Sequence, residues 1–110
     1  MPIFLDVMKE ELERNLFKQK AYKEELNQLP CGYLSECVIG GKAYIYRKKR
    51  VGNKIVSEYI GVPGDENVKK AENQRQDYLN YKQSLKNLKN EEIKLRRAIK
   101  DYEKLWKWDD

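Results

Sequence analysis

Three short segments in the middle of the chain alternate between apolar and polar residues, a pattern typical of strands with two different faces. They span residues 33–39, 42–50 and 54–60, and a glycine follows each within two residues. Gly40-Gly41 and Gly52-Asn53 separate them, and such pairs supply the positive φ angles of two-residue hairpin turns. The sequence therefore predicts a three-stranded antiparallel meander within residues 30–62.

Alternation divides the middle strand between two faces. One face carries Tyr44, Tyr46, Lys48 and Arg50. The other carries Ala43, Ile45, Arg47 and Lys49. Basic side chains therefore occupy both faces at the distal end of the second hairpin.

The segment before the meander, residues 2–29, predicts one amphipathic helix of about 26 residues, or about 39 Å. Leu29-Pro30 ends it, because the residue before a proline is disfavoured in helical conformation. Two polar residues, Asn15 and Gln19, interrupt the apolar register at its centre. The apolar positions recur at a spacing of three to four residues, at Leu5, Met8, Leu12, Tyr22, Leu26 and Leu29.

The segment after the meander, residues 65–107, predicts a second helix of about 40 residues, or about 60 Å. Pro63-Gly64 forms the preceding turn, and Asp65 is the expected N-cap. Within the apolar register the two polar positions are Gln74 and Glu92. The length of this register indicates a coiled coil. The residues of the register are Ala71, Gln74, Tyr78, Tyr81, Leu85, Leu88, Glu92, Leu95, Ile99, Tyr102 and Trp106.

Together these elements predict an α+β fold: a helix, a three-stranded antiparallel meander and a long helix in a single domain. The two helices are expected to form an antiparallel coiled coil, with the sheet at their shared end. Counted back from the sheet, the shorter first helix should reach only to about Ala98. Tyr102, Leu105 and Trp106 would then stay exposed in a monomer.

The composition of the chain argues against an enzyme. The chain has no histidine and no threonine, so the usual acid–base and nucleophile arrangements are missing, and we expect a non-enzymatic protein without cofactor or metal. Cys31 and Cys37 are expected to be reduced thiols. The sequence shows neither a signal peptide nor an apolar run long enough for a membrane span, which favours a cytoplasmic location.

Positive charge is concentrated on the predicted sheet. Residues 31–62 hold six basic and two acidic groups, a balance of +4, against −1 for residues 1–30 and +2 for residues 63–110. We expect contact with DNA or RNA phosphates through Arg47, Lys48, Lys49, Arg50 and Lys54. Tyr44, Tyr46 or Tyr59 would stack or pack nearby. The alternative is a solubilised turn whose lysines protect strand edges, with tyrosines that pack the sheet onto a helix.

The far half of the second helix is a candidate protein interface, either for a homodimer or for another partner. Its residues are Leu95, Ile99, Tyr102, Leu105, Trp106 and Trp108. A terminal cap that packs over the end of the helical pair explains the tryptophans equally well. A second basic group on this helix is better explained as the solvated flank of a coiled coil, and consists of Lys94, Arg96, Arg97 and Lys100.

The predicted sheet carries the motif Leu29-Pro30-x-Gly32-x-Leu34, then Ile39-x-Gly41-Lys42-x-Tyr44-x-Tyr46, then Gly52-x-Lys54-x-x-Ser57-x-Tyr59-Ile60-Gly61. This motif covers about a third of the chain and resembles a small family of bacterial and phage proteins of unknown function. The last two strands also resemble sheets near the start of some transposases and integrases. The resemblance implies a phage or mobile-element context and assigns no chemistry. Two functions follow as expectations: a nucleic-acid-binding accessory protein, or a protein-binding module such as a phage inhibitor of the anti-CRISPR type.

Overall fold

The structure, a computed structural model, describes residues 3–108, with side chains for residues 3–105. It confirms the predicted α+β order of helix, three-stranded antiparallel sheet and long helix. The elements are α1 (Ile3–Gln28), β1 (Tyr33–Ile39), β2 (Lys42–Val51), β3 (Lys54–Gly61) and α2 (Glu66–Trp108).

The sheet is a meander with the strand order β1-β2-β3 and antiparallel pairing throughout. In the first turn both Gly40 and Gly41 have positive φ, as predicted. The second turn differs from the prediction, because Gly52 has a φ of 61° while no described residue other than glycine has a positive φ. Asn53 therefore does not adopt the left-handed conformation. A two-residue turn in which only the first residue has positive φ, and in which that residue is glycine, is a type II′ turn.

Asp65 stands at the predicted N-cap position of α2, but its side chain bonds backwards. The Val62 amide donates to Asp65 Oδ2 over 3.2 Å, and the Asp65 amide donates to the Val62 carbonyl oxygen over 3.1 Å. The Asp65 carbonyl oxygen accepts from Val68 and Lys69, which begins the helix. The carboxylate thus fixes the tight turn between β3 and α2.

The described residues form two compact units, and α2 contributes to both. The first unit is the antiparallel coiled coil of residues 3–26 and 81–108. The rings of Tyr22 and Tyr81 lie 5.6 Å apart between the helices. The apolar side chains buried in this unit are Leu5, Leu85, Leu88 and Ile99.

The first helix covers more of α2 than the length count predicts. Lys9 Nζ lies 3.4 Å from a carboxylate oxygen of Glu103, and Leu5, one turn earlier, is buried. Tyr102 is half-buried as a result, so the expectation that coverage stops near Ala98 is wrong. The count assumed that both helices start level with the sheet.

A polar network occupies the centre of the coiled coil. Asn15 Nδ2 donates to the backbone carbonyl oxygen of Leu88 over 2.9 Å, and Gln19 Nε2 donates to Asn15 Oδ1 over 2.6 Å. Gln19 Nε2 also donates to a Glu92 carboxylate oxygen over 2.8 Å, and Arg96 donates to the other oxygen over 2.7 Å. Among the described residues, every buried polar side-chain atom has a hydrogen-bond partner.

The second unit, residues 27–80, contains the sheet and the first turns of α2. Val68 and Ala71 of α2 are buried in it, and Gly61 of β3 is buried next to Val68. Arg75 donates to the Gly32 carbonyl oxygen over 2.5 Å, which ties the start of β1 to the helix. One face of the sheet is therefore held against α2.

Candidate nucleic-acid interface

The face of the sheet towards α2 is identified by Arg47. Its guanidinium donates to Gln74 of α2 over 3.3 Å and to Glu58 of β3 over 3.5 Å. The Arg47 side chain is only 17% exposed. Because neighbouring residues of a strand point to opposite faces, Tyr46 and Lys48 must lie on the side away from α2.

The strand register defines the whole of this second face, which we call the tyrosine face. Tyr46 pairs with Ser35 of β1 and with Tyr59 of β3, and Lys48 pairs with Tyr33 and Ser57. All twelve residues of the face are exposed or half-buried. They are Tyr33, Ser35, Cys37, Ile39, Lys42, Tyr44, Tyr46, Lys48, Arg50, Ile55, Ser57 and Tyr59.

Four tyrosines lie on the tyrosine face. The rings of Tyr46 and Tyr59 meet edge to face with centroids 5.6 Å apart, and the Tyr44 ring lies 6.3 Å from the Tyr59 ring. Such pairs hold one another in place. Tyr59 is still 55% exposed, and Tyr33, on the edge strand β1, is 48% exposed. The face therefore offers accessible rings whose positions are partly fixed by their neighbours.

Charge is divided between the two faces. The tyrosine face carries Lys42, Lys48 and Arg50 and no carboxylate. The acidic residues of the sheet, Glu36 and Glu58, alternate onto the face towards α2. The tyrosine face is therefore uniformly positive, which favours a polyanion.

The structure divides the predicted nucleic-acid-binding residues between the two faces. Tyr44, Tyr46, Lys48 and Arg50 share the tyrosine face, as the alternation predicts, whereas Arg47, Lys49 and Lys54 lie on the other. The predicted set omitted Tyr33 and Lys42. Counting outward from the Gly40-Gly41 turn pairs residues whose numbers sum to 81, so the sequence did contain the signal that places Tyr33 beside Lys48.

The face towards α2 has a different character. A groove of about 530 Å³ lies between the α1–β1 connection and strands β2 and β3. Arg47 and Lys49 line it, but so does Glu58. The groove has mixed charge, and its arginine already binds two partners. It is therefore a weaker site for phosphate than the tyrosine face.

The predicted protein-interface residues also separate. Ile99 is buried in the coiled coil, and Leu95 and Tyr102 are half-buried. Leu105 is 63% exposed, as expected, although the first helix extends further along α2 than Ala98. The side chains of Trp106 and Trp108 lie outside the part of the chain that the structure describes.

Other chemistry on the described residues is sparse. Cys31 and Cys37 are both free. The side chains described for residues 3–105 form no group of three or more metal ligands, and neither described helix is long and apolar enough to cross a membrane. The Arg96 guanidinium, helped by the Gln19 amide, holds the pKa of Glu92 below its ordinary value. This carboxylate belongs to the polar network of the coiled coil.

These features define a small α+β protein that combines a coiled-coil unit with a three-stranded sheet whose second face is basic and aromatic. Residues 8–70 match the family described as Domain of unknown function (DUF6788). The match spans more than half of the chain and the whole sheet, and the chain belongs to this family. No curated protein and no solved structure matches the chain.

Proposed function

We propose that this protein is a non-enzymatic, cytoplasmic nucleic-acid-binding protein that serves an accessory or regulatory role in a phage or mobile element. The single observation that carries the proposal is the segregation of charge on the sheet. Lys42, Lys48 and Arg50 lie among tyrosines on one face, while Glu36 and Glu58 lie on the other.

Phosphate contact by lysine and arginine releases counterions, and this gain is largest where no carboxylate competes. The tyrosine face meets that condition. Arg47 is a poorer ligand, because its guanidinium already binds Gln74 and Glu58. The proposed contact surface is therefore the tyrosine face rather than the whole hairpin tip.

The experiment compares two double variants with the same loss of charge. Lys48→Ala/Arg50→Ala removes cations from the tyrosine face, and Lys49→Ala/Lys54→Ala removes cations from the other face of the same hairpin. Binding to labelled DNA and RNA is measured over a range of salt concentrations. Each lost phosphate contact lowers the slope of log affinity against log salt by about 0.7 to 0.9.

We expect Lys48→Ala/Arg50→Ala to weaken binding and to lower that slope by about 1.4 to 1.8. The matched variant on the other face should change both much less. Equal losses in the two variants would show that charge alone attracts the nucleic acid, and would remove the tyrosine face as the contact surface. Absence of binding by the unaltered protein at low salt would refute the function.

A second candidate function is that of a protein-binding module, favoured by exposed apolar residues at one end of the coiled coil. Ile3 and Phe4 are 77% and 69% exposed, and the Lys9–Glu103 pair places the start of α1 beside the end of α2, where Leu105 is exposed. A homodimer, or a host protein bound by an anti-CRISPR-type inhibitor, would cover these side chains. If this is the function, the double variant Phe4→Ser/Leu105→Ser should no longer self-associate in sedimentation, or should no longer bind the host protein. Its nucleic-acid binding should be unaffected.

A further inference from the structure

We propose that the tyrosine face selects single-stranded over double-stranded nucleic acid, by stacking unpaired bases on Tyr59 and Tyr33. This inference rests on the proposed function and adds the class of nucleic acid to it. Tyr59 and Tyr33 are the two most accessible rings of the face, at 55% and 48% exposed.

The accessible tyrosine rings favour unpaired bases. A base stacks on an aromatic side chain only if its π-face is free, and bases within a duplex already stack on one another. Phosphate contacts alone need no tyrosines. Edge-to-face contact with Tyr46 limits the movement of the Tyr59 ring, with centroids 5.6 Å apart, so little freedom remains for that ring to lose when a base binds.

The layout of charge along β2 also suits a single strand. Lys42 lies at one end of β2, and Lys48 and Arg50 lie towards the other, with Tyr44 and Tyr46 between them. At about 3.4 Å per residue, Lys42 and Arg50 are about 27 Å apart along the strand. In the strand register Tyr59 lies beside Tyr46 and Tyr33 lies beside Lys48, so both accessible rings fall between Lys42 and Arg50 along the strand. A single strand that crosses the face can therefore place its bases on these two rings and its phosphates at both ends.

The breadth of the tyrosine face disfavours a duplex. A two-stranded ribbon fits the major groove of DNA, which is about 12 Å wide. In the tyrosine face all three strands contribute side chains, and the outer strands of such a sheet are already about 10 Å apart between backbones. With its edge side chains added, this surface is too broad for the groove. A broad, positive surface with exposed rings instead suits a flexible single strand.

The test measures binding of the full chain to oligothymidine and oligouridine of about 12 nucleotides, and to an AT duplex of the same length. We expect the single strands to bind at least about tenfold tighter than the duplex. Tyr59→Leu and Tyr33→Leu should each weaken single-strand binding by about 5- to 150-fold, the range that one stacked base contributes. Tyr59→Phe keeps the ring and should bind nearly as well as the unaltered protein.

Phe17→Leu is the matched control, since Phe17 is an aromatic residue that is 75% exposed on α1. Its removal should leave binding unchanged. Thermal unfolding of each variant separates loss of contact from loss of fold, and Tyr59→Phe tests the ring without removing it.

The outcomes also separate this inference from the function beneath it. If the duplex binds as tightly as the single strands, and only Lys48→Ala/Arg50→Ala weakens it, the proposed function stands and single-strand selection is refuted. If Tyr59→Leu and Phe17→Leu behave alike, base stacking is refuted. If neither oligonucleotide nor duplex binds, both the function and the inference fail.

Discussion

Gln19 of α1 donates a hydrogen bond to Glu92 of α2 over 2.8 Å, so the polar residues that interrupt the two apolar stripes meet each other. The same amide nitrogen lies 2.6 Å from Asn15 Oδ1. Asn15 and Gln19 are both buried, with 4% and 5% of their surface exposed. A buried polar residue in a coiled-coil seam favours the one register in which it finds partners. This network therefore sets the register of α1 on α2.

Replacing Gln19 with alanine should destabilise the coiled coil more than the loss of an ordinary surface hydrogen bond. The substitution leaves buried Asn15 Oδ1 without its donor and opens a cavity, and we expect a loss of about 1–3 kcal/mol in the free energy of unfolding. Urea unfolding followed by circular dichroism measures it.

Gln83→Ala is the matched control. Gln83 Nε2 donates to Asn87 Oδ1 over 3.0 Å, again between residues four apart, but on an exposed surface. Its loss should cost less than about 0.5 kcal/mol. Equal effects of the two substitutions would contradict a special role for the buried network.

The sequence predicts much of the coiled coil, because apolar spacing is a local property of each helix. Asn15, Gln19 and Glu92 are visible as polar breaks in two separate registers. Their pairing is not visible, since it depends on how far α1 slides along α2. The Lys9–Glu103 ion pair shows how far α1 is displaced along α2. This displacement is the reason that helix lengths alone placed the end of α1 near Ala98.

As with the coiled coil, only part of the candidate nucleic-acid interface could be predicted from the sequence. Strand alternation places Tyr46 and Lys48 together, and the structure agrees. Alternation does not tell which face α2 covers, and that choice decides whether Arg47 is free or engaged by Gln74. The conformation of Asn53 was mispredicted because a Gly-Asn pair is compatible with more than one hairpin turn.

The coiled coil should lose stability in acid partly through Glu92. Its pKa is lowered in the folded protein, first by the hydrogen bond from Arg96 and then by that from Gln19. A carboxylate with a lowered pKa stabilises the fold at pH values above its unfolded pKa, and that contribution disappears as the pH falls through the folded pKa. Glu92→Gln should therefore flatten the decline in melting temperature between about pH 6 and about pH 3.

Glu91→Gln is the control for this pH series. Glu91 is the exposed neighbour of Glu92, and its substitution by glutamine removes the same charge. Its melting curve should follow that of the unaltered protein more closely over the acid range. An identical acid dependence in Glu92→Gln and the unaltered protein would show that the hydrogen-bonded carboxylate contributes nothing measurable to folding.

Gly32 should be the glycine at which an added methyl group does most damage. Its φ of 107° is rarely adopted by residues with a side chain, and a Cβ there would meet the backbone carbonyl oxygen of Lys48. Lys48 cannot move away easily, because it is paired with both Tyr33 and Ser57 in the centre of the sheet. The Gly32 carbonyl oxygen also accepts the bond from Arg75, so a shift of this residue would loosen the sheet from α2.

Gly40→Ala separates the two sources of cost, because Gly40 has a positive φ of 59° and open space around the Cβ position. That variant should lose about 1–2 kcal/mol of unfolding free energy from conformation alone. Gly32→Ala adds the clash with Lys48 and should lose at least about 1 kcal/mol more. Urea unfolding of both full-length variants measures the difference. If Gly32→Ala is no less stable than Gly40→Ala, the close approach between Gly32 and Lys48 does not constrain the start of β1, and the sheet can adjust there without loss.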